Sequence, residues 1–455
     1  MIETLRNAWK VPELRKKMQF TVFALLIFRF GAAVPVPGID NAALQSYLQY
    51  QSGTILDFIN AMSGSAFSMA TVFALSIQPY INSSIIMQLL TVAIPALERL
   101  QKEGGEDGKK QIATYTRYGT VAIALLQGFG YYTLIRVNGL LQESSTPEFW
   151  NGLVIVLTFT AGSAFLMWLG EQITEFGVGN GISIILFSGI ISGLPNSIGT
   201  MISGVSNWNA LQSSEEVLAD IDAETIAYMQ ANALHPAVIP VIVLAMLALV
   251  VFIVFISNAE RRLPVQYAKR VVGRKTYGGQ SSHIPMKVNM SGVMPIIFAS
   301  TIATLPATVG AFAGWTIDSE GFGGFIMRLF DTSKFFYALI FFILIVFFSY
   351  FYATMQFNPI EVANNLKKNG GFIPGYRPGK PTADFIARVL SKITAFGALY
   401  LAVIALLPII TGNLFNISTL AIGGTSVIIV VGVALETVRT IEAQMLMRHY
   451  KGFLE

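Results

Sequence analysis

The sequence contains no cysteine, only three histidines and little charge: 12% of its 455 residues are Asp, Glu, Lys or Arg, about half the share of a soluble domain. Without cysteine the chain forms neither a disulfide nor a thiolate metal site, and the redox compartment leaves no mark on it. His235, His283 and His449 lie far apart with no second ligand at metal spacing, so they read as loop or tail residues. No glycine-rich phosphate loop with its Lys-Ser/Thr pair occurs, and energy for any work must come from a partner. An intramembrane hydrolase would need a nucleophile with its base, paired aspartates or a His-Glu zinc pattern at mid-span depth, and none is present. No cofactor and no enzymatic activity are expected.

What the chain has is apolar length. Hydrophobic residues make up 53% of it, and at about 20 residues per span this supplies most of ten to twelve membrane crossings. The 40 glycines and 18 prolines lie inside apolar runs, where membrane helices tolerate them. A transmembrane barrel would show alternating segments of about ten residues, and these runs are continuous and roughly twice as long. Charge-free stretches predict ten spans near 18–37, 67–95, 115–136, 152–174, 182–204, 236–257, 292–313, 335–357, 393–412 and 416–437. The first run follows basic residues as a signal peptide would, but it continues into Pro35, Pro37 and Asp40 without a cleavage pattern, so we read it as a retained span.

Lysine and arginine set the orientation, because positive charge stays on the cytoplasmic side. Residues 1–17 carry five, 96–117 five, 258–291 seven, 358–392 six and the tail after 438 three, whereas the 205–235 segment holds Glu215, Glu216, Asp220, Asp222 and Glu224 with no basic residue. Both termini are therefore expected in the cytoplasm. The division that follows is a basic N-terminus (1–17), a first half (18–204), an acidic outer linker (205–235), a second half (236–437) and a tail (438–455). Five spans per half force the second half to insert upside down, and inverted halves place a pathway at their interface. A single helical body with no pathway is the bland alternative, since the halves share no visible sequence similarity.

Two features break the pattern. In the segment at about 54–67, Ile55, Phe58, Ile59 and Met62 recur at helical spacing before Gly64. Too short to cross, it either lies flat on the outer surface or folds back into the body. The basic loops 258–291 and 358–392 carry Tyr267, Tyr277 and Tyr376 among turn residues and exceed what a connection needs. They either enforce topology or dock an acidic surface such as ribosomal RNA. An ion-coupled transporter would bury charge, yet nearly all spans are free of charge at their centres, the exceptions being Arg29 and, close to cytoplasmic ends, Glu171, Glu175 and Glu436; what the spans contain is uncharged polarity: Asn82, Ser83, Ser84, Gln88, Gln127 and Asn289. Such residues either bond helix to helix or line a wet pathway.

Five strings are more specific. FLMWLGEQITEFGVGNGISI from Phe165, IQPYINSSIIMQLL from Ile77, MKVNMSGVMPIIF from Met286, NPIEVANNLKKNGGFIPGYRPGKPT from Asn358 and GGTSVIIVVGVALE from Gly423 closely resemble the bacterial SecY family, channel subunits of the Sec protein translocase. The resemblance runs from Arg15 to the end of the tenth span. It implies an all-α polytopic membrane protein, ten helices in two inverted five-helix halves around a central pore, with a re-entrant plug helix. The implied function is translocation of signal-bearing unfolded polypeptides, with a lateral gate to lipid; a secondary transporter of a small solute is the competing class.

The implied waist ring falls on Ile77, Ile81, Ile182, Leu186, Ile297 and Ile429, where a narrow aliphatic ring would dewet; by spacing alone these read as packing residues. The plug falls on Ile55, Phe58, Ile59 and Met62. The lateral gate lies between the second and seventh spans, with Ser83, Gln88, Gln127 and Asn289 as its polar residues. Arg274, Lys275 and Arg377 match docking sites for the ribosome and the SecA motor ATPase. Implied partners are SecE-like and SecG-like small membrane subunits, signal peptides, nascent or precursor polypeptides and the lipid bilayer, in the bacterial cytoplasmic (inner) membrane. The chain departs from the family pattern at Ser76, where glycine is usual, at Phe176, where arginine often stands, and at Leu186, which replaces an isoleucine.

Overall fold

The computed structural model describes residues 2–50, 55–142, 147–212, 229, 233–267, 270–272, 275–277, 281–315, 321–331, 334–415 and 423–451. A helix follows each predicted stretch: Pro12–Gly31, Gln78–Ala93, Gly105–Val137, Glu148–Phe176, Gly181–Leu211, Val238–Asn258, Met294–Phe312, Phe335–Gln356, Lys380–Phe415 and Gly423–Lys451. We refer to these helices as spans one to ten. Among the described residues seven helices are long and apolar enough alone to cross a membrane, or eight counting Gln78–Ala93 with Pro95–Glu103, which meet at a 98° bend.

Local sequence sets the helix starts. Asn180 caps span five by accepting from the Ile182 and Ser183 amides, and Asn358, followed by Pro359, caps the helix Pro359–Lys368 by accepting from Ile360 and Glu361. Proline also opens spans two and seven, at Pro79 and Pro295.

Neighbour relations repeat between the halves. Spans two, three, four and five pack in sequence, with span one against four and five. Spans seven, eight, nine and ten do the same, and span six lies against ten and touches nine through Phe252 and Tyr400, whose rings are 5.8 Å apart. The halves meet where span seven packs on two and three and where span ten packs on five. The N-terminal helix Ile2–Lys10 packs on span ten, with Thr4 donating to Glu442 at 3.2 Å, so the two ends of the chain share one face.

Three findings correct the sequence expectations. Span two begins at Gln78 rather than near 67. Residues 64–76 are turns, pinned by Val36 N–H to Ala70 O and Val72 N–H to Val34 O, both 3.0 Å. Irregular backbone at this depth is tolerable because protein surrounds it and its groups are bonded.

Second, the fold is not wholly helical. Strand Glu260–Tyr267 pairs antiparallel with Ser281–Lys287 and with Gly371–Phe372, which joins the two basic loops in one sheet. Leu263, Val265, Met286, Leu366, Ile373, Ile386, Leu390 and Ile393 close a separate core beneath it. The alternation of Leu263 and Val265 with outward residues carried that strand signal. Third, span nine starts at Lys380, so its first turns belong to this platform. Of the expected acidic linker, residues 205–211 continue span five, and 213–228 and 230–232 lie outside the described residues.

Candidate pore, re-entrant segment and docking platform

The aliphatic residues implied as a ring converge. Ile77, Ile81, Leu186, Ile297 and Ile429 are buried in one cluster, and Ile182 packs against it half-buried. They come from spans two, five, seven and ten, two from each half of the chain. Ile77 caps span two and accepts the Ile81 amide at 3.1 Å, which sets the two side chains one turn apart. Ile77 and Ile182 also approach each other over Gly170 of span four, where a Cβ would lie 3.3 Å from Ile77 Cδ1 and 3.7 Å from Ile182 Cγ1. The convergence is entirely apolar, so it offers a passing polar group no bond that would detain it.

Helix Ile55–Ser63 lies on one side of this cluster, against spans five and seven. Met62 packs in the central cluster and Ile59 in the neighbouring outer one, so the short helix folds into the body rather than lying flat outside it. The side chains of Ile55 and Phe58 lie outside the described residues. Met62 Sδ accepts from Gln78 Nε2 at 3.3 Å, which ties the helix to the start of span two beside Ile77.

The turns that follow are seated by aromatic and glycine contacts. Phe67 stacks on Tyr131 with centroids 4.3 Å apart, and the Tyr131 hydroxyl donates to Phe67 O at 2.6 Å. Val72 lies so close to span four that a Cβ on Gly162 would fall 2.0 Å from its carbonyl oxygen. Ser65, Ala70 and Ser76 have φ of 69°, 43° and 52°, the left-handed region that favours glycine. At Ser76, whose buried Oγ has no partner among the described residues, this geometry explains why glycine suits the position.

The polar residues expected along the seam separate. Gln88 bridges the halves: its Oε1 accepts from the Tyr352 hydroxyl of span eight at 3.2 Å, and the Tyr352 ring packs 5.3 Å from Phe298 of span seven. Gln127 is half-buried on span three, one turn before Gly130, against which Phe312 of span seven packs. Ser83 does not face the seam. Its hydroxyl donates to Thr116 O on span three at 2.7 Å, within the first half, because a small donor satisfies itself on the nearest free carbonyl. Asn289 sits beside Gly397 of span nine, and its buried Oδ1 accepts no bond among the described residues. Tyr352 was not singled out by sequence, since nothing in the string SYFYATM marks one tyrosine from another.

Arg377 stands exposed on the platform. Gly375 and Gly379 turn the chain at φ of 85° and 103°, Tyr376 stacks on Phe385 at 4.1 Å, and Thr382 donates to Arg377 O at 2.8 Å. No carboxylate pairs with Arg377 among the described residues. Lys275 opens the strand Lys275–Tyr277, and Arg274 lies outside the described residues. Where the end of span six meets span ten beside the platform, Arg439 donates to Ser257 O and Asn258 Oδ1 at 2.8 and 2.7 Å. Burial, and then the charge of Arg439, pull the Lys287 ammonium below the usual lysine range, with Glu260 and Glu436 opposing. Phe176, in place of the expected arginine, packs edge-on against Phe20 of span one at 6.1 Å.

A family model described as SecY matches residues 71–438. A protein translocase subunit SecY of Streptomyces scabiei is 42% identical over 465 aligned positions that cover all of both chains. Among solved structures, one described as a protein conducting channel shares the fold with a TM-score of 0.61 at 15% identity, covering 97% of each chain. The channel of the canine ribosome-channel complex from the endoplasmic reticulum does so with a TM-score of 0.59 at 14% identity, again over 97% of each.

Proposed function

The chain belongs to the SecY family, and from that premise we propose a working cycle for its pore, plug, gate and platform. The protein is a multi-pass membrane protein and a protein-translocation channel, not an enzyme. It passes signal-bearing unfolded polypeptides across the bacterial cytoplasmic membrane with both termini in the cytoplasm.

The observation that carries this reading is the meeting of Ile77, Ile81, Ile182, Leu186, Ile297 and Ile429 from four spans and both halves. At rest they form a dry constriction, and Ile55–Ser63 plugs it from the outer side. A signal segment parts spans two and three from seven and eight, breaking the Gln88–Tyr352 bond. That displacement draws on Gln78, which holds Met62, so gate and plug move together.

The platform receives the SecA motor or the ribosome through Arg377, whose exposed guanidinium suits carboxylate or phosphate. A ribosome partner is supported by the canine ribosome-channel complex among the structural relatives. SecE-like and SecG-like subunits complete the assembly. The repeated neighbour order supports a division of the chain into two halves, with the first half extended to Leu211 by the continuation of span five.

The test is transport in sealed vesicles. A signal-bearing precursor becomes protease-protected when SecA and ATP are supplied, and radiolabelled small solutes do not accumulate. Solute uptake without precursor protection would make the chain a secondary transporter instead.

A further inference from the structure

Apart from Arg15 in the first turn of span one, three arginines lie in the first four spans, and two have carboxylate partners: Arg117 pairs with Glu171 at 2.9 Å, and Arg136 pairs with Glu148. The third, Arg29, lies in the last turn of span one, at the end away from the basic loops. Among the described residues no carboxylate pairs with it. Its Nη1 instead donates to Ser192 Oγ of span five at 2.7 Å and, at the long limit of 3.5 Å, to Gly64 O.

Ser192 is itself held, since its hydroxyl donates to Gly189 O at 2.7 Å and leaves a lone pair for the guanidinium. Gly64 ends the short helix in the left-handed region, φ 67°, and touches span five backbone to backbone. A Cβ on Gly64 would lie 2.3 Å from Ser192 Oγ, and one on Gly189 would lie 2.6 Å from Met62 O.

A guanidinium near the membrane is costly and keeps its place only where it is satisfied or where it acts. Capping the dipole of span one would account for its position, but not for a short bond to a serine oriented by the very segment that Gly64 touches. We propose that Arg29 is the latch of the plug: through Ser192 and the Gly64 carbonyl it clamps the hinge of Ile55–Ser63 to span five, and displacement of the plug requires this clamp to break. The proposal rests on the plug reading given above. Neutral acceptors make the clamp weaker than an ion pair of the same geometry, which suits a contact that must open and close.

The experiment uses the natural absence of cysteine. A single Met62→Cys probe, buried in the resting structure, is exposed to an aqueous maleimide in the assembled translocase in vesicles. Arg29→Met is expected to accelerate labelling about tenfold, equivalent to about 1.4 kcal/mol in the resting equilibrium, and to raise idle ion conductance. Ser192→Ala is expected to give about threefold in the same direction, and Arg29→Lys a value between Arg29→Met and the parent.

A control probe, Ile386→Cys in the platform core, stays protected in every background. Unchanged labelling at 62 in Arg29→Met overturns the latch. So does faster labelling at both probes, which marks general loosening. In the parent background, engagement of a precursor exposes the probe at 62. If it never does, the plug reading fails and takes the latch with it, an outcome distinct from a moving plug that ignores Arg29.

Discussion

The sheet platform and the re-entrant turns at 64–76 both depart from plain spans, yet they are held in opposite ways. The platform has a main-chain ladder of seven residue pairs between its two long strands, an added strand from a distant loop, and a dry core of its own. Span nine extends that core into the membrane: Ile386, Leu390 and Ile393 belong to the platform, and Tyr400, Leu401 and Ile404, on the same unbroken helix, belong to the central cluster. The turns have no ladder beyond two bonds to residues 34–36. They rely on short-range turn bonds such as Ala70 N–H to Phe67 O, on burial of Phe67, Phe73 and Leu75 in clusters built by the spans, on the single side-chain contacts of Tyr131 to Phe67 and Arg29 to Gly64, and on three residues at positive φ. A ladder over a core yields cooperatively and transmits force, whereas separate weak contacts can be released one after another.

The largest expected effect comes from using the platform without unfolding it. Arg377→Glu reverses the one exposed charge that the glycine turns present, and precursor transport should fall about a hundredfold, or roughly 3 kcal/mol of docking. Circular dichroism and thermal melting should match the parent. A mutant that transports normally would leave Arg377 a surface residue.

Breaking the platform itself should cost comparable energy by another route. Ile386→Ala empties part of its core, and a loss of about 3 kcal/mol is expected for such a cavity. Limited proteolysis should then cut within 260–287 or 359–379 while the spans stay intact. If cleavage spreads equally into the spans, the platform is not a separate cooperative unit.

On the other side of the comparison, the ring next to the turns should fail without any loss of fold. Replacing Ile81 or Ile297 by Asp or Gly wets or widens the constriction, so single-channel recordings in planar bilayers should show idle openings absent from the parent. Recordings as quiet as the parent's would identify both as packing residues.

The smallest effect sharpens the contrast. Ser76 bears a left-handed backbone and a buried, unpartnered hydroxyl, so Ser76→Gly should relieve about 1 kcal/mol and raise the melting temperature slightly. A lower melting temperature would mean that the hydroxyl or the restricted backbone of serine contributes more than its strain costs.

By itself the sequence determined which stretches form the long helices, though not where spans two and nine begin, because apolar run length and the near absence of charge leave a bilayer chain few other solutions. It also marked the basic loops, and its long strings carried the family resemblance. Its alternating Leu263 and Val265 held a strand signal that charge counting obscured. The tertiary structure alone decided which apolar residues meet. Ile77 and Ile429 are as ordinary in sequence as any packing isoleucine, and only the crossing of spans two, five, seven and ten brings them together. It alone sent Ser83 to span three and Gln88 to Tyr352, since in an apolar interior a polar side chain bonds to whichever partner the helix packing delivers. And it alone turned Arg29 from a stray charge at the end of a span into a contact on Gly64 and Ser192, because that contact depends on a glycine and a serine far along the chain approaching within hydrogen-bonding distance.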